Sequence, residues 1–193
     1  INPLVAQYVE RNLSRPDAAL YVLVLDTPGG TDTSMRRVVQ AIFGAPVPVV
    51  VYVAPQGARA GSAGMFLLLA AHVAAMAPGT NVGAAHPVGA GGEELEGTLG
   101  AKLTNDAATF ARSLAETRGR NADWAEQAVR SSLSITEREA ISMGVADLLA
   151  TDLEDLLQQL DGRKVTTAAG EVVLSLSFVP RERVSMTLSE RFL

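Results

Sequence analysis

Two stretches of the chain are almost wholly apolar, and glycine or proline lies next to each of them. The first is ALYVLVLDT (19–27), which leads into a Pro-Gly-Gly turn (28–30), and the second is PVVVYV (48–53). Continuous apolar runs of this length are typical of strands buried on both faces of a sheet. Because residues 32–43 between them have a helical pattern, the sequence predicts a parallel strand pair joined by a right-handed crossover.

The remaining pattern also alternates helices with strands, which predicts an α/β fold. Residues 3–13 have helical apolar spacing, with Asn2 placed to cap the first turn. A loop is predicted over 54–61, followed by an apolar helix that begins near Ser62. Short apolar runs lie at 72–78 and 82–88, helices are predicted at 101–118, 122–131, 136–143 and 152–160, and strands at 145–150, 163–168 and 171–178.

One segment, GAGGEELEGTLG (89–100), has a different composition from the rest. It contains five glycines and three glutamates and no aromatic residue. Glycine lowers the conformational preference of the backbone, and charged side chains favour solvent. We therefore expect a mobile loop here. In the helix predicted after it, Leu103, Ala107, Phe110, Ala111 and Leu114 share one face.

Composition narrows the function classes. The chain has 193 residues, 48% hydrophobic and 19% charged, which fits one globular domain over 1–193. A net charge of −5 with no basic run argues against nucleic acid as a partner. Cysteine is absent, which excludes disulfides, thiolate metal sites and a cysteine nucleophile. The longest apolar stretch, 65–77, is broken by His72 and is too short to span a bilayer.

Ser62 is the first candidate for chemistry, because it stands in AGSAG directly before the apolar helix. Its neighbours Gly61, Ala63 and Gly64 carry little side-chain bulk, as a backbone needs where a substrate carbonyl approaches closely. The free N–H groups and the dipole at a helix N-terminus also stabilise an oxyanion formed there. The structural alternative is a buried serine that bonds to its own helical turn.

The Pro-Gly-Gly turn supplies a second candidate element. A Gly29-Gly30 turn after a buried strand can direct an amide N–H outward, where it would complement the N–H of Ala63 in an oxyanion hole. The alternative is a plain strand-to-helix turn. The sequence matches neither of the glycine patterns that bind phosphates, GxGxxG and GxxxxGK.

A serine nucleophile needs a base, and the histidines and lysines of the chain supply four candidates: His72, His86, Lys102 and Lys164. Arginine does not lose its proton and is excluded. His72 lies inside an apolar run and is expected to be packed. Lys164 lies in a polar hairpin and is expected to be solvated. His86 and Lys102 remain.

Lys102 has features for and against this role. It lies at the start of the predicted 101–118 helix, where the dipole disfavours a cation, and Leu99, Ala101 and Leu103 would help to desolvate it. Asp106, four residues later, would stabilise the protonated amine if the two paired. The structural alternative is an ordinary surface charge on a helix.

Four segments taken together resemble a known family: LDTPGG (25–30), ARAGSAGMFLLLAAHVAAMAPGTNVGAAHPV (58–88), AKLTNDAATFARSLAETRGRNADWAEQAV (101–129) and ITEREAISMGVADLLA (135–150). They are similar to the membrane-bound, ClpP-class serine proteases of the NfeD long form, which accompany stomatin-like proteins. The resemblance implies the ClpP/crotonase-type fold, a spiral of ββα units, and a serine endopeptidase activity without a metal or organic cofactor.

Residue by residue, the resemblance makes Ser62 the nucleophile and Lys102 the general base. It puts the oxyanion donors on the Gly29-Gly30 turn and on the Ala63 N–H. The related soluble Clp proteolytic subunit has a Ser-His-Asp triad whose histidine falls near His86, so His86 stays open as the alternative base. Position 60 is alanine, so AGSAG is not the GxSxG elbow of lipases and esterases.

The resemblance also implies partners and a location. The expected substrate is an apolar segment near the C-terminus of a stomatin-like membrane protein, and the expected assembly is at least a dimer. We expect the family's first strand upstream of Ile1 and a membrane anchor beyond Leu193, so that this piece is a soluble, extracytoplasmic protease domain of an anchored protein. Two rivals remain: an acyl-CoA enzyme of the crotonase fold, and a scaffold that binds stomatin-like proteins without cleaving them.

Overall fold

Helices and strands are interspersed between residues 3 and 173. The computed structural model describes residues 1–89, 91–177 and 179–187. In chain order the elements are α1 (Pro3–Leu13), β1 (Tyr21–Leu25), α2 (Asp32–Gly44), β2 (Val49–Val53), β3 (Arg59–Gly61), α3 (Ala63–Ala70), β4 (Val73–Met76), β5 (Asn81–Gly83), α4 (Gly97–Thr117), α5 (Ala122–Arg130), β6 (Ser134–Thr136), α6 (Glu137–Ser142), β7 (Leu148–Leu149), α7 (Leu153–Leu160), β8 (Lys164–Thr167) and β9 (Gly170–Val173).

A parallel sheet with strand order β1-β2-β4-β7 forms the centre of the fold. Both of its faces are covered, which explains the continuous apolar run of β2. Val49, Val51 and Val53 face a core built with α1 to α5, whereas Val50 and Tyr52 face a second core with α7 and the β8–β9 hairpin. The predicted α/β class and the parallel β1–β2 pair around α2 are confirmed.

A small second sheet, ordered β3-β5-β6, was not predicted. The sequence prediction gave a loop over 54–61, but Arg59–Gly61 forms β3 and pairs in parallel with β5, which also pairs antiparallel with β6. Strands of three residues are too short to show a period-2 pattern, so long-range pairing decides their structure. The sheet matters for the site, because β3 leads directly into Ser62.

Helix α3 is buried along its entire length, from Ala63 to Ala70. Its Phe66 ring stacks on Phe110 of α4, with the ring centroids 5.8 Å apart. At its C-terminal end, two arginines that lie after α4 donate hydrogen bonds to its last carbonyls. Across the described residues, no helix has both the length and the apolar character needed to cross a membrane.

Helix α4 begins at Gly97, four residues before the predicted start at 101. A Cβ added to buried Gly100 would overlap the carbonyl of Leu95, so this glycine permits a close approach of two backbone segments. Upstream, the Gly89 N–H donates to the Glu93 carbonyl at 2.8 Å, which closes a turn; Ala90 lies outside the described residues. The predicted apolar face is correct for Leu114 but wrong for Leu103, which is 42% exposed.

Candidate active site

Ser62 occupies the junction between β3 and α3 in an unusual backbone conformation. Its φ is 49° and its ψ is −115°, a left-handed region that residues with a side chain rarely adopt. The Ser62 N–H donates to the Gly83 carbonyl at 3.0 Å, which fixes this conformation from β5. Such strain costs about 1–3 kcal/mol and is concentrated at functional sites. The sharp turn therefore favours a functional serine over the alternative of an ordinary helix serine.

The Pro-Gly-Gly turn lies against the Ser62 side chain, as predicted. A Cβ added to Gly29 would lie 2.9 Å from Ser62 Cβ and 3.3 Å from Ser62 Oγ. The φ of Gly29 is 143°, so both the backbone and the available space require glycine at this position. The turn and the serine were predicted separately from the sequence, and the structure brings them together.

Thr27 holds the turn in place, a role that the sequence analysis missed. Its buried hydroxyl accepts from the Gly29 N–H at 3.1 Å and donates to the Gly29 carbonyl at 2.9 Å. Gly61 also donates to the Thr27 carbonyl at 3.0 Å, which ties the turn to β3. The available signal was a threonine two residues before a Gly-Gly pair, because such hydroxyls commonly bond to the backbone of a turn.

Two amides near Ser62 are candidates for oxyanion donors. Ala63 is the first residue of α3, so its N–H has no acceptor within the helix. The Gly30 N–H donates to no residue that the structure describes. Ala63 follows Ser62 directly in the chain. Gly30 follows Gly29, whose backbone lies against the Ser62 side chain. The arrangement can therefore stabilise negative charge on a carbonyl oxygen bound there.

An open cleft of about 540 Å³ contains Ser62 together with the Gly29-Gly30 turn and His86. The His86 Nδ1 lies 3.1 Å from the Val129 carbonyl. A carbonyl can only accept, so Nδ1 is the protonated nitrogen when the ring is neutral, and Nε2 then carries the lone pair. No carboxylate orients this ring among the described residues. The structure thus places the alternative base in the same cleft as the serine.

Lys102 is not among the residues that line this cleft. It is exposed on α4, and because α4 starts at Gly97, it stands in the second turn of the helix. The predicted effect of the helix dipole on Lys102 is therefore wrong, since that effect falls off within the first turn. The predicted desolvation of Lys102 by its neighbours is also wrong, because Leu99 is 63% and Leu103 42% exposed.

Asp106, which was weighed as an ion-pair partner of Lys102, pairs instead with Arg36 of α2. Arg36 also bonds Asp32 one turn away, and its guanidinium lies 4.3 Å from the centre of the Phe110 ring. The carboxylate of Asp106 is therefore committed to another helix. Among the described residues, Asp106 forms no ion pair with Lys102.

The other two candidate bases have structural roles, as expected. His72 Nδ1 accepts the Val49 N–H at 3.1 Å, and burial, followed by the nearby Arg118 and Arg120, lowers the His72 pKa to about 4. His72 lies beyond the C-terminal end of α3, whereas Ser62 precedes its N-terminal end. Lys164 is exposed on β8 and pairs with Glu171 at 2.8 Å.

The family to which the chain belongs follows from comparison with known proteins. The model of the NfeD1b N-terminal domain matches residues 1–169. The chain belongs to the NfeD1b N-terminal domain family. The expected resemblance to NfeD proteases is thereby confirmed.

Relatives of this NfeD1b domain include the membrane-bound protease PH1510 of Pyrococcus horikoshii. The two are 38% identical over 165 residues, which cover 84% of this chain and 37% of the relative. The chain thus spans little more than a third of that protein's length.

Three solved structures have the same fold. The first is a lysine-to-alanine mutant of 1510-N, a membrane-bound stomatin-specific protease, in complex with a substrate peptide. Its TM-score is 0.89 at 32% identity, and the match covers 99% of this chain and 92% of the other. A serine-to-alanine mutant has a TM-score of 0.86 at 33% identity, with 95% and 91% covered. The 1510-N protease specific for a stomatin homolog from Pyrococcus horikoshii gives 0.77 at 32% identity, with 96% and 84% covered. The expected ClpP-type α/β fold of this NfeD1b domain is confirmed.

Proposed function

We propose that this chain is a serine endopeptidase domain with Ser62 as the nucleophile and Lys102 as the general base. The observation that carries the proposal is the position of Ser62, strained at the N-terminus of buried α3 and in contact with a turn that must be glycine. The similarity to a protease solved with a substrate peptide supports it. We assign the oxyanion hole to the N–H groups of Gly30 and Ala63.

The chemistry follows from these positions. The neutral Lys102 amine accepts the Ser62 Oγ proton while Oγ attacks a peptide carbonyl carbon. The resulting oxyanion receives hydrogen bonds from Gly30 and Ala63, as the free amides and the N-terminal dipole of α3 favour. The protonated amine then donates its proton to the leaving peptide nitrogen. Water, deprotonated by the same amine, hydrolyses the acyl-enzyme.

Lys102 must move towards the cleft for this mechanism, because it does not line it in the free chain. The segment 91–96 lies between the cleft residue Val88 and the start of α4, and we propose that a bound peptide shifts this segment over the cleft. Catalytic hydrogen bonds in enzymes are often long without substrate and shorten in the complex. We therefore propose that peptide binding brings Lys102 to Ser62.

His86 is the second candidate for the base, and one observation favours it: the ring lines the cleft with a free Nε2. The two bases are separated by measuring peptide cleavage for Lys102→Ala and, independently, for His86→Ala. If Lys102 is the base, its loss lowers kcat by about 10²–10⁴-fold, while His86→Ala keeps most of the activity. The reverse result would assign the base to His86.

Serine reactivity is the direct test of the enzyme class. We expect a fluorophosphonate probe to label the wild-type chain once and Ser62→Ala not at all. Ser131→Ala is the control, because this exposed serine lies after α5 and outside the cleft. Peptide cleavage that survives Ser62→Ala would overturn the proposal.

The same variants separate the two rival functions. An acyl-CoA enzyme would bind CoA esters and turn them over without Ser62, since such enzymes use only the oxyanion hole of this fold. A scaffold would bind its target without cleavage and without labelling. We propose that the target is an apolar segment of a stomatin-like membrane protein, because the 1510-N relatives are named as specific for stomatin.

We also propose the setting of the domain. The PH1510 relative is membrane-bound, and this chain matches 37% of its length. We infer that the domain acts as part of a longer, membrane-anchored protein, that it faces away from the cytoplasm and that it self-associates at least as a dimer. Fractionation of the longer protein with membranes tests the anchor, protease accessibility from either side tests the orientation, and crosslinking tests the self-association.

A further inference from the structure

A second cavity, which we call the basic pocket, lies at the C-terminal end of α3. Its volume is about 300 Å³, and its wall includes Arg118, Arg120, Arg163, Lys164 and Asp147. It shares no residue with the cleft around Ser62. The eight residues of α3 separate the two sites, which corresponds to about 12 Å at the rise of an α-helix.

Arg120 forms the floor of the basic pocket and is 93% buried, since only 7% of it is exposed. Its Nη1 donates to the carbonyls of Leu69 and Ala71 at 2.8 and 2.9 Å, and its Nη2 donates to Asp147 at 2.6 Å. The Nε atom is buried and has no hydrogen-bond partner among the described residues. The protein therefore does not fully pair the Arg120 guanidinium.

Arg118 leaves a second guanidinium donor unsatisfied. Its Nε donates to the Ala70 carbonyl at 2.8 Å, and its guanidinium lies 4.7 Å from the centre of the Phe43 ring. Its Nη2 is buried without a partner in the part of the chain that the structure describes. Burial, followed by the charge of Arg120, lowers the Arg118 pKa to about 10. Two like charges are thus packed together at one wall of the cavity.

The remaining charges of the pocket do not neutralise this pair. The Oδ2 atom of Asp147 accepts both from Arg120 and from the Ala74 N–H, the latter at 2.7 Å, so the charge of Asp147 is paired with that of Arg120. Lys164 is paired with Glu171. No side-chain hydrogen bond or ion pair of Arg163 is formed within residues 1–89, 91–177 and 179–187. The pocket therefore keeps an excess of positive charge from Arg118 and Arg163.

Capping of α3 explains only part of this arrangement. The three carbonyls of Leu69, Ala70 and Ala71 need donors, and the two arginines supply them. Capping does not require Arg163 and Lys164 to line the same cavity. An oxyanion in the cavity would offset the excess positive charge, because guanidinium groups offer several N–H donors in a fixed plane.

We propose that the basic pocket binds a phosphate-type anion, held between the Arg118–Arg120 pair and Arg163. Phosphate fits because it offers several acceptor oxygens and a charge of up to two, which matches the uncompensated cations. Its source is either free inorganic phosphate or the phosphate of a lipid headgroup. The two sources present the same chemistry to the pocket and differ only in what the phosphate is attached to.

The test is calorimetric titration of the chain with inorganic phosphate, at constant ionic strength set by chloride. We expect saturable binding of one phosphate per chain, and Arg163→Gln to weaken it by at least about tenfold. Arg163 is the residue to change because it caps no helix, so the variant keeps its fold. The matched control is Arg138→Gln, which removes the same charge from an 85% exposed side chain elsewhere and should bind phosphate normally.

The source of the phosphate is tested with vesicles of phosphatidylcholine, with and without phosphatidylglycerol. Capture by the anionic vesicles that is lost in Arg163→Gln but kept in Arg138→Gln assigns a lipid headgroup. Phosphate binding without such capture assigns a free anion. The proposal is overturned if the wild-type chain does not bind phosphate saturably, or if Arg163→Gln and Arg138→Gln bind it equally well.

Discussion

The contact between Gly29 and Ser62 leads to a sharp prediction for Gly29→Ala. The new methyl group would lie 2.9 Å from Ser62 Cβ, closer than carbon atoms approach without repulsion, and 3.3 Å from its Oγ. Ser62 cannot move away freely, because its N–H is bonded to Gly83 and its backbone is already strained. The substitution therefore acts on the proposed nucleophile directly.

The magnitude has two parts. A side chain at a φ of 143° costs about 1–3 kcal/mol in backbone strain. Overpacking of the methyl against Ser62 adds about 1–3 kcal/mol. Urea unfolding should therefore show a loss of about 2–6 kcal/mol in the free energy of unfolding. Displacement of the nucleophile by up to an ångström should lower kcat/KM by about 10²-fold.

The control is Gly170→Ala. Gly170 also has a positive φ, 119°, but an added Cβ there meets nothing within 4 Å. It should lose stability through the backbone term alone and keep its kcat/KM. The assay is the second-order rate of fluorophosphonate labelling, measured under conditions in which both variants are folded. Labelling of Gly29→Ala within about threefold of the wild-type rate would refute the assigned site geometry.

Three further perturbations test the surrounding structure. Arg120→Met removes the side-chain donor of the Leu69 and Ala71 carbonyls and leaves Asp147 without its cationic partner, so we expect urea unfolding to show a loss of about 3–5 kcal/mol. The exposed Arg130→Met should lose at most about 0.5 kcal/mol, and equal losses would contradict the capping role. The His72 pKa is lowered to about 4 in the folded chain, so the contribution of neutral His72 to stability is complete above pH 6.5 and is lost as the pH falls towards 4. Between pH 7 and pH 4, the free energy of unfolding of the wild-type chain should fall by about 1–2 kcal/mol more than that of His72→Gln. Asp106→Asn breaks the ion pair with Arg36. A double-mutant cycle of Asp106 and Arg36, measured by thermal unfolding, should give a coupling energy of about 0.5–1 kcal/mol, and the absence of coupling would mean that this pair does not stabilise the contact between α2 and α4.

The parts of the fold that the sequence predicted are those with a local cause. Asn2 caps α1 because its Oδ1 accepts from the Leu4 and Val5 N–H groups, within three residues of the cap. Strand β2 was predictable because burial on both faces leaves no polar position in it. Each of these signals is contained in a few consecutive residues.

The parts that the sequence did not predict depend on distant residues. Strands β3 and β6 exist only because both pair with β5, and β6 follows β5 by 50 residues. Arg118 and Arg120 cap α3 from 48 to 51 residues further along the chain. Nothing in their local sequence distinguishes them from the surface arginines of the same chain, and hence the basic pocket was not foreseen.

The same distinction between local and distant causes applies to the candidate site. The contact between Ser62 and the Gly29-Gly30 turn was predictable because a helix N-terminus, small neighbours and a Gly-Gly turn all lie within a few residues of the groups they affect. The position of Lys102 was not, because Lys102 belongs to α4, and α4 starts earlier than its sequence pattern indicates. A shift of four residues in that start moves Lys102 out of the first turn, where the helix dipole acts. Asp106, four residues after Lys102, pairs with Arg36, which lies 70 residues before Asp106 in the chain. If Lys102 is the base, substitutions at Arg36 should change the rate of cleavage although Arg36 does not line the cleft.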